Sequence, residues 1–223
     1  MKVAVVVFPG TNCEHDTKYA YEMLGSDVEF VWHKAHTLPK EVDLVVLPGG
    51  FSYGDSLRSG SIARFSPIIT EVINYANNGG KVLGICNGFQ ILLEAGLLPG
   101  AMKRNESVHF ISKHHHLKVE NKDNTFLQNF KVGDILNIPI AHAEGNYYLD
   151  EAGLKSLHEN DQILLTYCDD KGEKMNPNGS KEAIAGICNK EKNVFGLMPH
   201  PERAMETLLG SADGVNMLKG FIN

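Results

Sequence analysis

Val82-Leu83-Gly84-Ile85-Cys86-Asn87-Gly88-Phe89-Gln90-Ile91-Leu92-Leu93-Glu94 passes from an apolar run to a helical pattern across a single cysteine. Residues 82–85 have the length and apolarity of a strand buried on both faces. From Phe89 onward the chain reads as a helix start. Between them lies Gly-x-Cys-x-Gly, the thiol version of a strand-to-helix nucleophile elbow. Such a turn holds the nucleophile in a strained backbone conformation. Side chains two residues to either side would collide there, so Gly84 and Gly88 suit it. The helix N-terminus then points partial positive charge at the sulfur and favours the thiolate. The plain alternative is a core cysteine acting as a small buried hydrophobe. That reading gives the two glycines no task.

The same alternation continues on both sides. Residues 3–8 form a continuous apolar run ended by Pro9-Gly10, and residues 14–24 read as a helix with Tyr19, Met23 and Leu24 as its apolar stripe and Gly25 as its stop. Residues 28–32 and 44–47 are further strands, the latter closed by Pro48-Gly49-Gly50. Residues 62–76 look helical with Pro67 near the start. Strand and helix in turn predict an α/β fold: one domain over residues 1–223, a doubly wound, mostly parallel sheet with helices on both faces. Functional groups are then expected beyond the carboxyl ends of the strands, where Gly49-Gly50 and Cys86 both fall. The middle of the chain differs. Residues 107–148 hold short alternating runs, such as Leu117-Lys118-Val119 and residues 135–140, which read as an antiparallel extension. Late strands follow at 162–167, 183–187 and 194–198, and the polar segment 169–181 reads as a mobile loop.

Composition narrows the class. The chain has 223 residues, 43% hydrophobic and 22% charged, which is ordinary for a globular domain. A formal charge of -6 argues against nucleic acid as a partner. No run of about 18 apolar residues suggests a membrane span. The N-terminal stretch has no signal-peptide pattern, and Cys13, Cys86, Cys168 and Cys188 show no paired spacing. A reducing cytoplasm is the expected location.

A thiolate nucleophile needs a base, and the base needs an acceptor to orient it. His200-Pro201-Glu202 offers both, again just after a strand. Pro201 biases His200 away from helix, and in an extended segment residues i and i+2 face the same side. Glu202 could then accept the Nδ1 proton while Nε2 faces Cys86. The same three residues also fit a helix-opening turn with Pro201 first and Glu202 in the first turn. For acyl chemistry, the Gly50 and Asn87 N–H groups are the expected oxyanion donors.

These residues together resemble the class I (triad) glutamine amidotransferases. Within that class, Pro9-Gly10-Thr11-Asn12-Cys13-Glu14-His15-Asp16, residues 49–55, Ala141-His142-Ala143-Glu144-Gly145 and residues 198–204 are similar to the glutaminase subunits of phosphoribosylformylglycinamidine synthases, a family of purine synthesis. The resemblance runs through residues 210–214. It implies Cys86 as nucleophile, His200 and Glu202 as the rest of the triad, and Gln90 as a residue that holds substrate glutamine. It also implies hydrolysis of glutamine to glutamate and ammonia through a thioester. Ammonia would then pass to a large synthetase subunit, with a small third subunit, for ATP-dependent amidation of formylglycinamide ribonucleotide. The chain has no Gly-x-x-x-x-Gly-Lys-Ser/Thr loop, so ATP and magnesium are expected on the synthetase and no cofactor on this chain. Two positions depart from the family: Ala143 replaces a usual glycine, and Thr11 a usual serine.

His142 and Glu144 read as loop residues that line the partner face or help place a substrate. His114-His115-His116 invites a metal reading. Alternation along a strand lets at most two of them converge, so a solvated edge strand without metal is expected. Cys13 follows a strand end and could approach the site, but it reads first, like Cys168 and Cys188, as a packed thiol. Two other readings stay open: a peptidase-like hydrolase with a cysteine elbow, and a non-enzymatic redox sensor built on Cys86. Gln90 and the His200–Glu202 pair favour the amidotransferase over both.

Overall fold

A computed structural model describes residues 1–222. Its strands are β1 (Lys2–Val7), β2 (Asp27–Trp32), β3 (Leu44–Leu47), β4 (Lys81–Ile85), β5 (Ala101–Lys103), β6 (Ile111–Val119), β7 (Ile135–His142), β8 (Asn146–Tyr148), β9 (Ile163–Cys168), β10 (Ile184–Cys188) and β11 (Val194–Leu197). The α-helices are α1 (Glu14–Met23), α2 (Pro67–Asn77), α3 (Asn87–Glu94), α4 (Glu151–Glu159) and α5 (Gly214–Lys219). Nine strands share one sheet in the order β2-β1-β3-β4-β11-β10-β9-β6-β7, and β5 pairs with β8 apart from it. The half from β2 to β11 is parallel. The half from β10 to β7 is antiparallel. The antiparallel arm therefore draws on late strands as well as the middle of the chain.

The parallel half follows from its sequence. β1, β3 and β4 are almost wholly buried, as uninterrupted Val, Leu and Ile runs require. The β1-to-β2 crossover through α1 and the β3-to-β4 crossover through α2 run in opposite directions along the sheet. Right-handed connections then put these helices on opposite faces. The direction reverses between β1 and β3, so a crevice opens beyond their carboxyl ends. Thr11 and Gly50 bridge it, and Thr11 Oγ1 accepts the Phe8 N–H at 3.0 Å, as a serine there also could. β11 inserts beside β4 in parallel register, Leu197 opposite Ile85. That single pairing brings residues 112 positions apart in sequence to one end of the sheet.

Several details differ from the expectations. The buried face of α1 is Thr17, Ala20 and Tyr21, whereas Tyr19 and Met23 are about half exposed. The compact face packs close to β1 and β2, while Tyr19 Oη reaches out to donate to Glu206. The helix expected over residues 62–76 begins only at Pro67, after a separate turn Ala63–Phe65. Proline at the first helical position explains the break, since it disfavours helical backbone in Ser66 before it. β6 lies between β9 and β7, but β9 pairs only with its end from His116 to Val119, and residues 111–115 pair with β7 alone among the described residues. Within it His114 is exposed, His116 half-buried, and His115 buried with Nε2 2.9 Å from the Met175 carbonyl. Residues 169–181 are irregular but not loose throughout, because Asn178 and Ser180 are buried and hydrogen-bonded.

Candidate active site

Cys86 follows β4 directly and caps α3, with φ 50° and ψ −104°. This is the mirror image of ordinary extended backbone and is strained for any residue with a Cβ. The structure holds it there from both sides. The Cys86 N–H donates to the Leu197 carbonyl at 2.8 Å, and the Cys86 carbonyl accepts from Gln90 N at 3.1 Å. The elbow also needs its glycines. A Cβ on Gly88 would stand 1.8 Å from the Leu47 carbonyl oxygen of β3, and one on Gly84 2.7 Å from the Gly88 carbonyl.

His200 follows β11. Its N–H donates to the Pro139 carbonyl of β7 at 2.8 Å, and its Nδ1 lies 2.6 Å from Glu202 Oε1. Both side chains are buried, 1% and 3% exposed as residues. The pair forms across a 3₁₀ turn, Pro201–Arg203, rather than an extended segment. Of the two readings of this tripeptide, the helix-opening turn describes the backbone, and it still brings the side chains together. Burial alone would push the His200 imidazolium down. The charges of Glu202 and Cys86 outweigh it, and the net shift is well upward. His200 Nε2 is buried and makes no hydrogen bond among the described residues, and Cys86 Sγ contacts the Ala141 carbonyl at 3.7 Å instead.

Gly50 has φ 146°, and a Cβ there would lie 2.7 Å from Asn12 N and Thr11 Cα. Among the described residues no backbone carbonyl takes the Gly50 or Asn87 N–H, so both donors are free. The Asn87 side chain builds the wall around them. Its Oδ1 accepts from Ser52 N at 3.1 Å, and its Nδ2 faces Gln90 Oε1 at 2.9 Å and Asp55 Oδ1 at 3.3 Å. Gln90 donates to the Glu144 carbonyl at 2.7 Å and so ties α3 to the loop after β7.

Cys86, Gly50 and Gln90 line a cavity of about 350 Å³ with Asp55, Ser59, Arg104, His142 and Glu144. Its size suits a small metabolite. Glu144 accepts from Ser59 N and Oγ at 3.2 and 2.7 Å, and Arg104 Nε lies 3.9 Å away. His142 is 3% exposed and is not a surface group. Its Nδ1 donates to Asn105 Oδ1 at 3.1 Å, and its Nε2 accepts from Asn178 Nδ2 at 3.4 Å. Burial pushes its pKa down to about 4, so it is neutral. Its place is inside the pocket wall. Ala143 is not among the residues with positive φ, so that loop has no need of glycine there.

Sequence reasoning assigned no role to Asn105, Asn178, Ser59 or Arg104, and quoted Asp55 only as part of a motif. The polar motifs around these positions carry no spacing that marks them as site residues. Cys13 lies closer to the site than a plain packed thiol. Its Sγ stands 3.0 Å from Arg203 Nη2, and it shares a cluster within 4.8 Å with donor atoms of His200 and Glu202. Arg203 beside the sulfur and the existing His200–Glu202 bond oppose a cation there. Cys168 and Cys188 are buried free thiols, as expected.

Residues 1–215 match the CobB/CobQ-like glutamine amidotransferase domain. The chain belongs to this amidotransferase family. It is 64% identical over 222 residues to phosphoribosylformylglycinamidine synthase subunit PurQ of Sulfurimonas denitrificans, covering 100% of this chain and 99% of that protein. It is 57% identical to the protein of that name from Campylobacter jejuni, covering 100% and 96%. Among solved structures, a chain of PurLQS from Thermotoga maritima superposes with a TM-score of 0.89 at 42% identity, covering 100% of this chain and 97% of that one. For this amidotransferase the fold expectation stands: one domain-wide sheet of mixed direction with a parallel half that carries the elbow.

Proposed function

We propose that this chain is the glutaminase subunit of phosphoribosylformylglycinamidine synthase. The observation that carries the reading is the placement of Cys86 and the hydrogen-bonded His200–Glu202 pair at the adjacent ends of β4 and β11, with Cys86 lining a pocket. Full-length similarity to proteins named PurQ supports the acceptor assignment.

Cys86 thiolate attacks the side-chain amide carbon of glutamine, and the carbonyl becomes an oxyanion held by the Gly50 and Asn87 N–H groups. The imidazolium of His200 gives its Nε2 proton to the amide nitrogen, the C–N bond breaks, and ammonia leaves. A glutamyl thioester remains on Cys86. His200, now neutral, takes a proton from water, which attacks the thioester and releases glutamate. Glu202 holds Nδ1 and stabilises the charged imidazole. Gln90 and Asn87 keep the pocket wall in shape around the substrate. Ammonia passes to a large synthetase subunit, assembled with a small third one. There formylglycinamide ribonucleotide becomes formylglycinamidine ribonucleotide with ATP and magnesium. The similarity to a chain of the Thermotoga maritima PurLQS structure supports such partners.

The test is glutamate release from glutamine by wild type and Cys86→Ala, with and without the synthetase subunits and their ligands. Release that needs Cys86 and rises steeply with the partners is expected. Full turnover by the isolated chain would remove the coupling, and no release in any mixture would remove the glutaminase.

A further inference from the structure

The loop that carries Gly50 continues into strained backbone. Tyr53, Gly54 and Asp55 have positive φ, at 54°, 67° and 52°. Glycine takes such a conformation freely, but tyrosine reaches it only at a cost. Contacts outside the loop must therefore hold Tyr53 there. Gly50, Phe51 and Asp55 line the cavity of Cys86, whereas Tyr53 lines a separate recess of about 480 Å³ with His33 and Ser66. Its ring stands edge-on to that of His33, centroids 5.5 Å apart at 87°. Its Oη lies 2.6 Å from His33 Nδ1 and 2.9 Å from Ser66 Oγ. His33 directly follows β2 and Ser66 directly precedes α2, and both are buried. Burial and the Lys34 charge push the His33 imidazolium down, so the ring is neutral and Nδ1 can accept. The Tyr53 hydroxyl then donates to His33 Nδ1 and accepts from the Ser66 hydroxyl. Two elements of the framework thus grip the loop through one side chain. The backbone is tied in beside it. Phe51 N donates to the Gly10 carbonyl at 2.9 Å and Tyr53 N to the Pro9 carbonyl at 2.6 Å. Ser52 N donates to Asn87 Oδ1 at 3.1 Å, which joins the Gly50 arm to the residue of the other expected oxyanion donor.

We propose that Tyr53, clamped by His33 and Ser66, is a positioning residue that sets the Gly50 N–H where the oxyanion develops. This deepens the glutaminase reading and rests on it. Tyr53 lies outside the cavity and acts only through the backbone that joins it to Gly50. An oxyanion donor counts for its placement against the charge of the transition state, so a small shift of the arm costs rate while glutamine still binds. The strained turn is the form in which the clamp holds the arm.

The experiment compares wild type, Tyr53→Phe, Ser66→Ala and the double variant in the complex with the synthetase subunits. Tyr53→Phe keeps the ring and removes both hydroxyl bonds. Ser66 makes no side-chain cap to α2, so Ser66→Ala removes only its bonds to the clamp. For Tyr53→Phe, kcat and kcat/KM for glutamine are expected to fall together, roughly 10- to 100-fold, with KM little changed. A second reaction reads the thiol alone: alkylation of Cys86 by iodoacetamide, in which the thiolate displaces iodide from carbon and no oxyanion forms. Its rate, followed by mass analysis of the Cys86 peptide, is expected to be unchanged. Ser66→Ala should show the same split at smaller amplitude, and it should add nothing once the tyrosine hydroxyl is gone. Equal losses of glutamine turnover and alkylation would mean a general disturbance of the site and overturn the assignment. An unchanged kcat, a loss confined to KM, or additive losses in the double variant would overturn it too. Should Tyr53→Phe fail to fold, Ser66→Ala decides by the same split with the tyrosine in place. Failure of the glutaminase reading itself looks different: wild type would release no glutamate in a Cys86-dependent way.

Discussion

At the scale of single residues, the site trades stability for readiness. Cys86 sits at φ 50° and ψ −104°, a conformation glycine reaches without penalty. Cys86→Gly and Cys86→Ala both remove the thiol, yet the glycine variant should be more stable than the alanine variant by about 1 kcal/mol in urea denaturation. Equal midpoints would mean that the elbow is unstrained. Asp55 offers a second case. Its folded carboxyl titrates near 6, above the 3.8 of a free one, so the charged form costs stability above pH 6 and the cost fades as pH falls. Asp55→Asn should raise Tm by on the order of 2–4 °C near pH 7.5, with the gain vanishing toward pH 4. A gain that persists at pH 4 would contradict the titration. His142 works in the opposite direction. Held neutral down to about 4, it contributes stability that is whole above pH 6.5 and is lost on acidification toward 4, on the order of 3 kcal/mol. The Tm of wild type should therefore fall toward that of His142→Gln over this range. Parallel curves would show that His142 is not buried neutral.

At the scale of elements, α3 presses on β3 so closely that Gly88 is required. A Cβ at 1.8 Å from the Leu47 carbonyl cannot be absorbed by a side-chain shift, because the obstacle is backbone. Gly88→Ala should cost about 3 kcal/mol or more, read from the denaturation midpoint; a loss under about 1 kcal/mol would mean that α3 slides freely. This element was legible in the sequence because its signals are local: an apolar run, two glycines and a helix start. The parallel strands were legible for the same reason. The burial face of α1 was not, since Thr17 and Ala20 fit the β1–β2 surface better than Tyr19 and Met23, and apolarity alone ranks them the other way. The interior place of β6 was only partly hidden: its exposed Ser112, Lys113 and His114 look like an edge and pair with β7 alone, while the end from His116 to Val119 also pairs with β9.

For the whole molecule, topology makes the site. β11 returns from the antiparallel arm to lie beside β4, and only then do Cys86 and His200 share one end of the sheet. The sequence motifs singled out the three residues one segment at a time, but their geometry depends on this insertion. The clamp at the end of β7 also depends on contacts distant in sequence, Asn105 and Asn178 meeting His142 from 37 and 36 residues away. Polar residues in irregular segments carry no periodicity, so nothing in the sequence marks them as partners. The exposed Phe51, Val108 and Phe110 stand near the mouth of the pocket and lie on the same side as the elbow.

The central claim is a covalent glutaminase built on Cys86. Its most direct test is acid quenching of the complex during glutamine turnover, followed by mass analysis of the peptide that carries Cys86. A glutamyl adduct on that cysteine, present during turnover and gone when glutamine is exhausted, is the predicted result. Continued turnover with no adduct, undiminished in Cys86→Ala, would contradict it.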